Sequence, residues 1–178
     1  GVNAGMVIGV ADDAGMHSSQ NEQDSRHYAK ASKIMMLEPS DSSECLEFSK
    51  LAFSLSEKFD TPVLLRLTTR VAHSRSLAEI GERADAGLKA YEKNPQKYVM
   101  VPANAKVKHV EVEKRIVAQT EFCETEALEL GLNSVEYNDK KIGVISSGIT
   151  YTYAKEALGD KASYLSSMGE DERGTFII

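Results

Sequence analysis

The richest chemistry in this sequence lies in the polar stretch Asp12-Asp-Ala-Gly-Met-His-Ser-Ser-Gln-Asn-Glu-Gln-Asp-Ser-Arg26. His17 can take up or release a proton near neutral pH, as a general acid or base must. Ser18, Ser19, Gln20 and Asn21 can hydrogen-bond a ligand without carrying fixed charge. Arg26 can grip a carboxylate through two parallel N–H groups. The stretch follows directly on an apolar run, and ligands of parallel α/β sheets bind at the carboxyl ends of the strands. The same composition also describes a solvated loop whose following helix is capped by Ser19 or Asn21. A second stretch, Arg66-Leu-Thr-Thr-Arg-Val-Ala-His-Ser-Arg75, again trails an apolar run and carries Arg70, His73 and Arg75. It can bind an anion or line the same cleft, although so charged a segment favours a surface or subunit-contact loop.

The elements that must position these residues follow from hydrophobic patterning. Met6–Ala11, Lys33–Leu37 and Val63–Leu67 are short apolar runs that read as buried strands. A short helix is expected from Asn21 or Glu22 to about Ala31. Asp41 with Glu44 resembles a capping box and opens a helix from Ser42 to about Lys58. Phe48, Leu51, Ala52, Leu55 and Phe59 form its apolar stripe. Strand, helix and strand joined by short connections argue for a parallel sheet covered by helices, an α/β fold. Thr68–Ser76 reads as a loop, Leu77 to about Asn94 as partly helical, and Lys97–Val101, between Pro95 and Pro102, as extended. A long helix is expected from Ala105 to Leu130, with Ile116, Thr120, Cys123, Ala127 and Leu130 on one face and Gly131 as its cap. Lys141–Ser146 reads as a buried strand, and Gly148 opens a helix to about Leu158, the start of a second α/β unit. The tail beyond Met168 shows no pattern.

Other motifs carry less. Gly143-Val-Ile-Ser-Ser-Gly148 precedes a helix, but Ile149-Thr150 stand where a P-loop has Lys-Ser/Thr, so close strand–helix packing is the better reading. His27 and His109 each sit alone on an expected helix and read as structural. Cys45 and Cys123 read as buried core thiols. They are far apart and only two, too few for a four-cysteine cluster within this chain, so a redox metal centre would belong elsewhere. Lys and Arg number 21 against 27 Asp and Glu, a net charge of −6, which lacks the basic footprint of a nucleic-acid binder. No run approaches the roughly 20 apolar residues of a membrane span. A reducing, cytoplasmic setting fits the cysteine usage.

The run Ala11–Arg26 closely resembles a signature of the alpha subunit of indolepyruvate ferredoxin oxidoreductases. Met36-Leu-Glu-Pro-Ser-Asp41, the run Leu55–Arg75, Lys97-Tyr-Val-Met-Val-Pro-Ala-Asn104 and Lys141-Ile-Gly-Val-Ile-Ser-Ser-Gly-Ile149 agree in the same order. The resemblance spans roughly Gly1 to Leu158. It implies a thiamine-diphosphate enzyme that oxidatively decarboxylates aryl 2-oxo acids such as indolepyruvate to aryl-acetyl-CoA, passing electrons to ferredoxin. Thiamine diphosphate, Mg2+ and 4Fe-4S clusters are the implied cofactors of the full enzyme, with none complete in this chain. A beta subunit and the remaining alpha-subunit domains are the implied partners.

On this resemblance residues 1–80 are the C-terminal part of a pyrimidine-binding domain. Residues 81–104 are a connector, and residues 105–178 begin a transketolase C-terminal-like domain. The glutamate that activates the aminopyrimidine would precede Gly1, and no Gly-Asp-Gly with a downstream Asn is present to hold diphosphate and magnesium. The chain alone is therefore expected to be inactive. His17 is the expected catalytic residue, and Ser18 and Ser19 are expected to face the cofactor. Gln20, Asn21, Gln23, Asp24, Arg26, Arg70 and His73 are candidates for the substrate or an interface, and of these Gln23, Asp24 and Arg26 are expected rather to brace the loop or meet a partner domain. The competing readings are a non-catalytic α/β ligand-binding or subunit-assembly module, and a related 2-oxo acid oxidoreductase with another substrate.

Overall fold

The computed structural model describes residues 2–83, 85 and 87–166. Its first sheet is built from β1 (Val7–Asp12), β2 (Met36–Leu37) and β3 (Val63–Thr68), all parallel, in the order β1-β3-β2. Helix α1 (Arg26–Ser32) connects the first two strands and α2 (Ser42–Phe59) the last two. The expected parallel α/β unit is therefore present. Register aligns Val7 with Val63 and Asp12 with Thr68, so both strands end at one edge. That edge carries both polar stretches.

Strand β3 is central, with Val63, Leu64 and Leu65 buried; Arg66 continues the strand and is equally buried. Strand β1 is an edge, not the buried strand its composition suggests. Among the described residues nothing pairs with its outer side, and Ile8 is 41% exposed. Strand β2 is shorter than expected because Lys33 takes a left-handed conformation to close α1.

Helix α2 follows its stripe. Phe48, Ala52, Leu55 and Phe59 are buried against the sheet, with Leu51 partly covered. Asp41 caps it by accepting from the amides of Ser43 (2.8 Å) and Glu44 (3.0 Å). Glu44 reaches back to the amide of Ser40 at 2.7 Å, one residue before the position a standard capping box uses. Asp41→Ala is expected to cost about 1 kcal/mol, measured by urea denaturation.

Several connections differ from expectation. Thr69–His73 forms a one-turn helix, α3, where a loop was expected, because β3 runs directly into it. No helix or strand forms among the described residues 74–94, and Leu77, Ile80, Leu88 and Tyr91 are exposed; without a covering surface their apolar spacing has nothing to pack on. Pro95–Tyr98 is a short helix, α4, rather than extended chain, with Asn94 accepting from the amide of Lys97.

The long helix is broken. Helix α5 covers Pro102–Glu124, Thr125 leaves helical geometry (φ −124°, ψ −88°), and α6 covers Glu126–Glu129. The break turns Ala127 and Leu132 into the first sheet's core and leaves Leu130 exposed, off the face expected for it. Phe122 meets Phe59 edge-to-face at 5.6 Å, so α5 packs on α2. Gly131 takes φ +71°, the left-handed turn expected at this helix end. Cys45 and Cys123 are half-buried rather than core thiols, and Cys123 packs against the core from its margin.

The second sheet contains β4 (Ser134–Glu136), β5 (Gly143–Ser146) and β6 (Ser163–Ser166), in the order β4-β6-β5. Helix α7 (Ile149–Leu158) and the turn Gly159–Lys161 lead from β5 to β6, which run parallel, while β4 is antiparallel to β6. Strand β5 is less buried than expected, with Ile145 74% exposed, since it too is an edge. Strand β6 escaped the sequence reading because it holds only four residues before the tail. Tyr164 anchors it, buried to 1%, its hydroxyl donating to the carbonyl of Gly159 at 2.7 Å. The tail after Met168 lies outside the described residues.

Candidate functional site

Three strands deliver charge to one edge. Asp12 ends β1, Glu38 follows β2, and Arg66 lies in β3; all three are buried, at 3%, 8% and 2% exposure. A guanidinium in a central strand must be paired. Arg66 Nε donates to Asp12 Oδ2 at 2.5 Å and Nη1 donates to Glu38 Oε1 at 2.5 Å. Arg26 grips Asp24 in bidentate fashion at 2.8 and 2.7 Å. Asp24 also faces Arg66 at 3.8 Å, joining the two pairs.

These contacts move the carboxyls apart. Burial opposes ionisation of Asp12, but hydrogen bonds from Ser25 and Arg66 outweigh it and hold the carboxyl below its ordinary value. Hydrogen bonding from Arg26 pulls Asp24 down to about 2. Burial dominates at Glu38 and pushes its carboxyl up in spite of Arg66 and Arg26.

The loop after β1 is organised by Asp13. Its Oδ1 accepts from the amide of His17 (2.9 Å) and the hydroxyl of Thr69 (2.8 Å). Its Oδ2 accepts from the amides of Ser18 (2.7 Å) and Ser19. Burial works against the charge, yet these donors hold the carboxyl far below the usual range. The Asp13 carbonyl accepts from the amides of Met16 and Gln23, which closes the loop. The loop is thus longer than expected, and α1 starts at Arg26 rather than near Asn21. Neither Ser19 nor Asn21 caps that helix; Ser25 holds the N-cap position and its hydroxyl donates to Asp12 at 2.6 Å.

The imidazole of His17 is exposed, with Nδ1 2.5 Å from the carbonyl oxygen of Ala14. A carbonyl only accepts, so Nδ1 is the donor in this contact. Ser18, Ser19, Gln20, Asn21 and Gln23 are exposed around it. Ser18 and Ser19 commit their amides to Asp13. Asp24 and Arg26 brace the loop. Arg70 and His73 lie on α3, and both line a shallow groove towards Ser40 and α7.

A cavity of about 340 Å³ opens at this edge. Arg66, Thr68 and Glu38 form its floor, and His17, Thr69 and Arg70 its rim. Ile149, Thr150 and Tyr153 of α7 supply the opposite wall. The two sheets therefore meet here, and Gly148 comes close against Glu38. Gly148 has φ +52°, and a Cβ there would sit 2.7 Å from Glu38 Oε1. Gly148→Ala is expected to destabilise the fold by about 1–2 kcal/mol from the backbone alone, measured by thermal or urea denaturation. Glu38 Oε2 and Thr68 Oγ1 are buried without a hydrogen-bond partner.

Sequence reasoning singled out the loop and the bracing pair Asp24 and Arg26, but missed Asp12, Asp13, Glu38 and Arg66 as residues that hold it. The available signals were two successive carboxylates at a strand end, an arginine inside an apolar strand, and a glutamate directly after another strand.

Comparison with known proteins identifies the relatives. The chain is 45% identical over 159 residues to the indolepyruvate oxidoreductase subunit IorA of Methanothermobacter marburgensis, and 45% over 162 residues to that of Methanothermobacter thermautotrophicus. It is 40% identical over 161 residues to that of Archaeoglobus fulgidus. The chain is thus similar to a segment of these subunits. Each match covers 89% of the chain but 25% of the relative, so the chain spans about a quarter of their length. No family profile and no solved structure matches it.

No three His, Cys, Asp or Glu side chains among the described residues are grouped to hold a metal, and Cys45 and Cys123 stand on different helices. No helix among the described residues is long and apolar enough to cross a membrane.

Proposed function

We propose that the chain is part of the larger subunit of a thiamine-diphosphate-dependent oxidoreductase. The enzyme would oxidatively decarboxylate indolepyruvate and other aryl 2-oxo acids to aryl-acetyl-CoA, with ferredoxin as electron acceptor. The observation that carries this reading is 40–45% identity, across nearly the whole chain, to subunits named indolepyruvate oxidoreductase. In this reading residues 1–80 close a pyrimidine-binding domain, 81–104 connect, and 105–178 open a transketolase C-terminal-like domain. Thiamine diphosphate, Mg2+ and 4Fe-4S clusters are held by other parts of a cytoplasmic enzyme, together with a beta subunit.

Within that enzyme this chain contributes a wall of the active site. Asp13 holds the loop that carries the exposed His17 imidazole, which exchanges a proton with substrate or cofactor. Ser18 and Ser19 meet the cofactor. Gln20, Asn21, Gln23, Asp24, Arg26, Arg70 and His73 serve substrate or interface. The buried Asp12–Arg66–Glu38 network fixes the floor beneath them. The exposed edge of β1 and the exposed apolar residues of 77–94 also suit an assembly module, the second reading.

Ferredoxin reduction by the full-length complex with indolepyruvate, pyruvate and 2-oxoglutarate separates these readings. Indolepyruvate is expected to give the highest kcat/KM. A preference for either other acid would point to a sister enzyme, and turnover of none to an assembly module.

A further inference from the structure

The described residues between 74 and 94 form no helix, yet their sequence carries the start, stripe and stop signals of one. Leu77, Ile80, Ala84, Leu88 and Tyr91 recur every three or four residues, which puts them on one narrow stripe of a helix. Every charged residue from Glu79 to Lys93 falls outside that stripe. Ser76-Leu-Ala-Glu79 has the capping-box pattern, and Asn94-Pro95 is a stop. Glu79 with Arg83 and Asp85 with Lys89 are spaced as supporting ion pairs, acid first. What the segment lacks is cover. Leu77, Ile80, Leu88 and Tyr91 all stand in solvent, and the least exposed, Tyr91, is at 77%. Gly81 and Gly87 each cost a helix roughly 1 kcal/mol, so one this short needs a surface to pack on.

The segment is tied to α2 at both ends. The amide of Ser42, where α2 begins, donates to Ser76 Oγ at 3.0 Å, and Lys97 pairs with Asp60, where α2 ends, at 2.7 Å. The 18 residues of α2 span about 27 Å, and a helix over residues 77–93 would span about 26 Å. It therefore fits between its anchors without moving them. Lys89, which pairs with Glu57 of α2, lies on the polar side of that helix, so the stripe faces away from α2. The unpaired edge of β1 lies close by. Glu57 also accepts from the amide of Gly5 at 3.1 Å, and Phe53, close against Gly5, is half-exposed. Strand β1 has the continuous apolar composition of a strand covered on both faces. We infer that residues 77–93 fold as an amphipathic helix along α2, and that the stripe, Phe53 and the β1 edge together dock a further domain of the same subunit. Each relative is matched over 25% of its length, which leaves most of such a subunit to supply that domain. A segment that folds on docking must offset its ordering entropy, and a partner in the same chain acts at a high local concentration. The proposal rests on the reading of this chain as part of a longer subunit and holds whichever reaction that subunit performs.

Hydrogen exchange and photo-crosslinking of the full-length subunit test it. The amides of residues 78–93 are expected to exchange about tenfold or more slower than unstructured chain. With photoreactive benzoylphenylalanine in place of Tyr91, the crosslink is expected within a single subunit, to a peptide outside the 178 residues of this chain. Leu88→Asp is expected to abolish both the protection and the crosslink while the amides of α2 stay protected, and Glu82→Gln, on the polar side, to leave both intact. Exchange at unstructured rates would overturn the proposal. So would a crosslink to a second copy, to another protein or within this chain, or an unaffected Leu88→Asp. Intact mass keeps the two readings apart. A subunit no longer than this chain sinks the longer-subunit reading and the docking together, whereas a long subunit with an unprotected segment sinks the docking alone.

Discussion

Replacing Arg66 with leucine is expected to destabilise the protein by about 3–5 kcal/mol, because it strands two buried carboxylates at once. Asp12 and Glu38 are almost fully covered, and Arg66 donates to both. Asp12 keeps Ser25 as a partner, whereas Glu38 loses the one side-chain hydrogen bond it makes among the described residues. Lysine at position 66 retains the charge but not the fork that spans two acceptors, so Arg66→Lys should fall between wild type and leucine. Removing the acids too, in Asp12→Asn with Glu38→Gln and Arg66→Met, should recover much of the loss. Urea denaturation at neutral pH measures all three. A loss under about 1 kcal/mol for Arg66→Leu would place this network with exposed ion pairs and contradict the account.

Asp13→Asn is expected to loosen the loop without unfolding the sheet. One carboxylate accepts three successive amides and a threonine hydroxyl. An asparagine turns an N–H group towards donors and can satisfy only part of that set. Amide exchange should therefore accelerate by about tenfold or more at His17, Ser18 and Ser19 while the amides of β3 are unchanged. Unaltered protection at those three positions would show that the carboxylate does not organise the loop.

Acid acts on the same groups. Asp12, Asp13 and Asp24 have depressed folded-state values. Their stabilisation is present above the unfolded carboxyl value near 4 and is lost as pH falls through the folded values. Glu38 is raised and contributes with the opposite sign: it favours the fold at low pH, and that contribution disappears as pH rises through its folded value.

What was legible in the sequence follows from local chemistry. The α2 stripe, its Asp41 cap and the strand–helix–strand order each depend on neighbours in sequence. So does the left-handed turn at Gly131. The errors depend on contacts made at a distance. Strands β1 and β5 have the composition of buried strands but stand at edges, and composition does not record what lies alongside. The periodicity through Thr125 continues to Leu130, but packing of Phe122 on Phe59 and of Ala127 on the core bends the chain between them. At the site, the loop's side chains advertised themselves through polarity. The groups that hold it did not: Asp13 looked like one more loop residue, and Arg66 and Glu38 gain their meaning when β1, β2 and β3 bring them to one edge.

The central claim is that this edge forms a wall of the active site, and His17 tests it most directly. The imidazole is exposed and meets the carbonyl of Ala14 within its own loop, so its loss should leave stability within about 0.5 kcal/mol. In the full-length complex, His17→Ala is expected to lower kcat/KM for indolepyruvate by about a hundredfold, the lower range for a positioned acid–base group. A folded variant with unchanged kcat and unchanged KM would contradict the account.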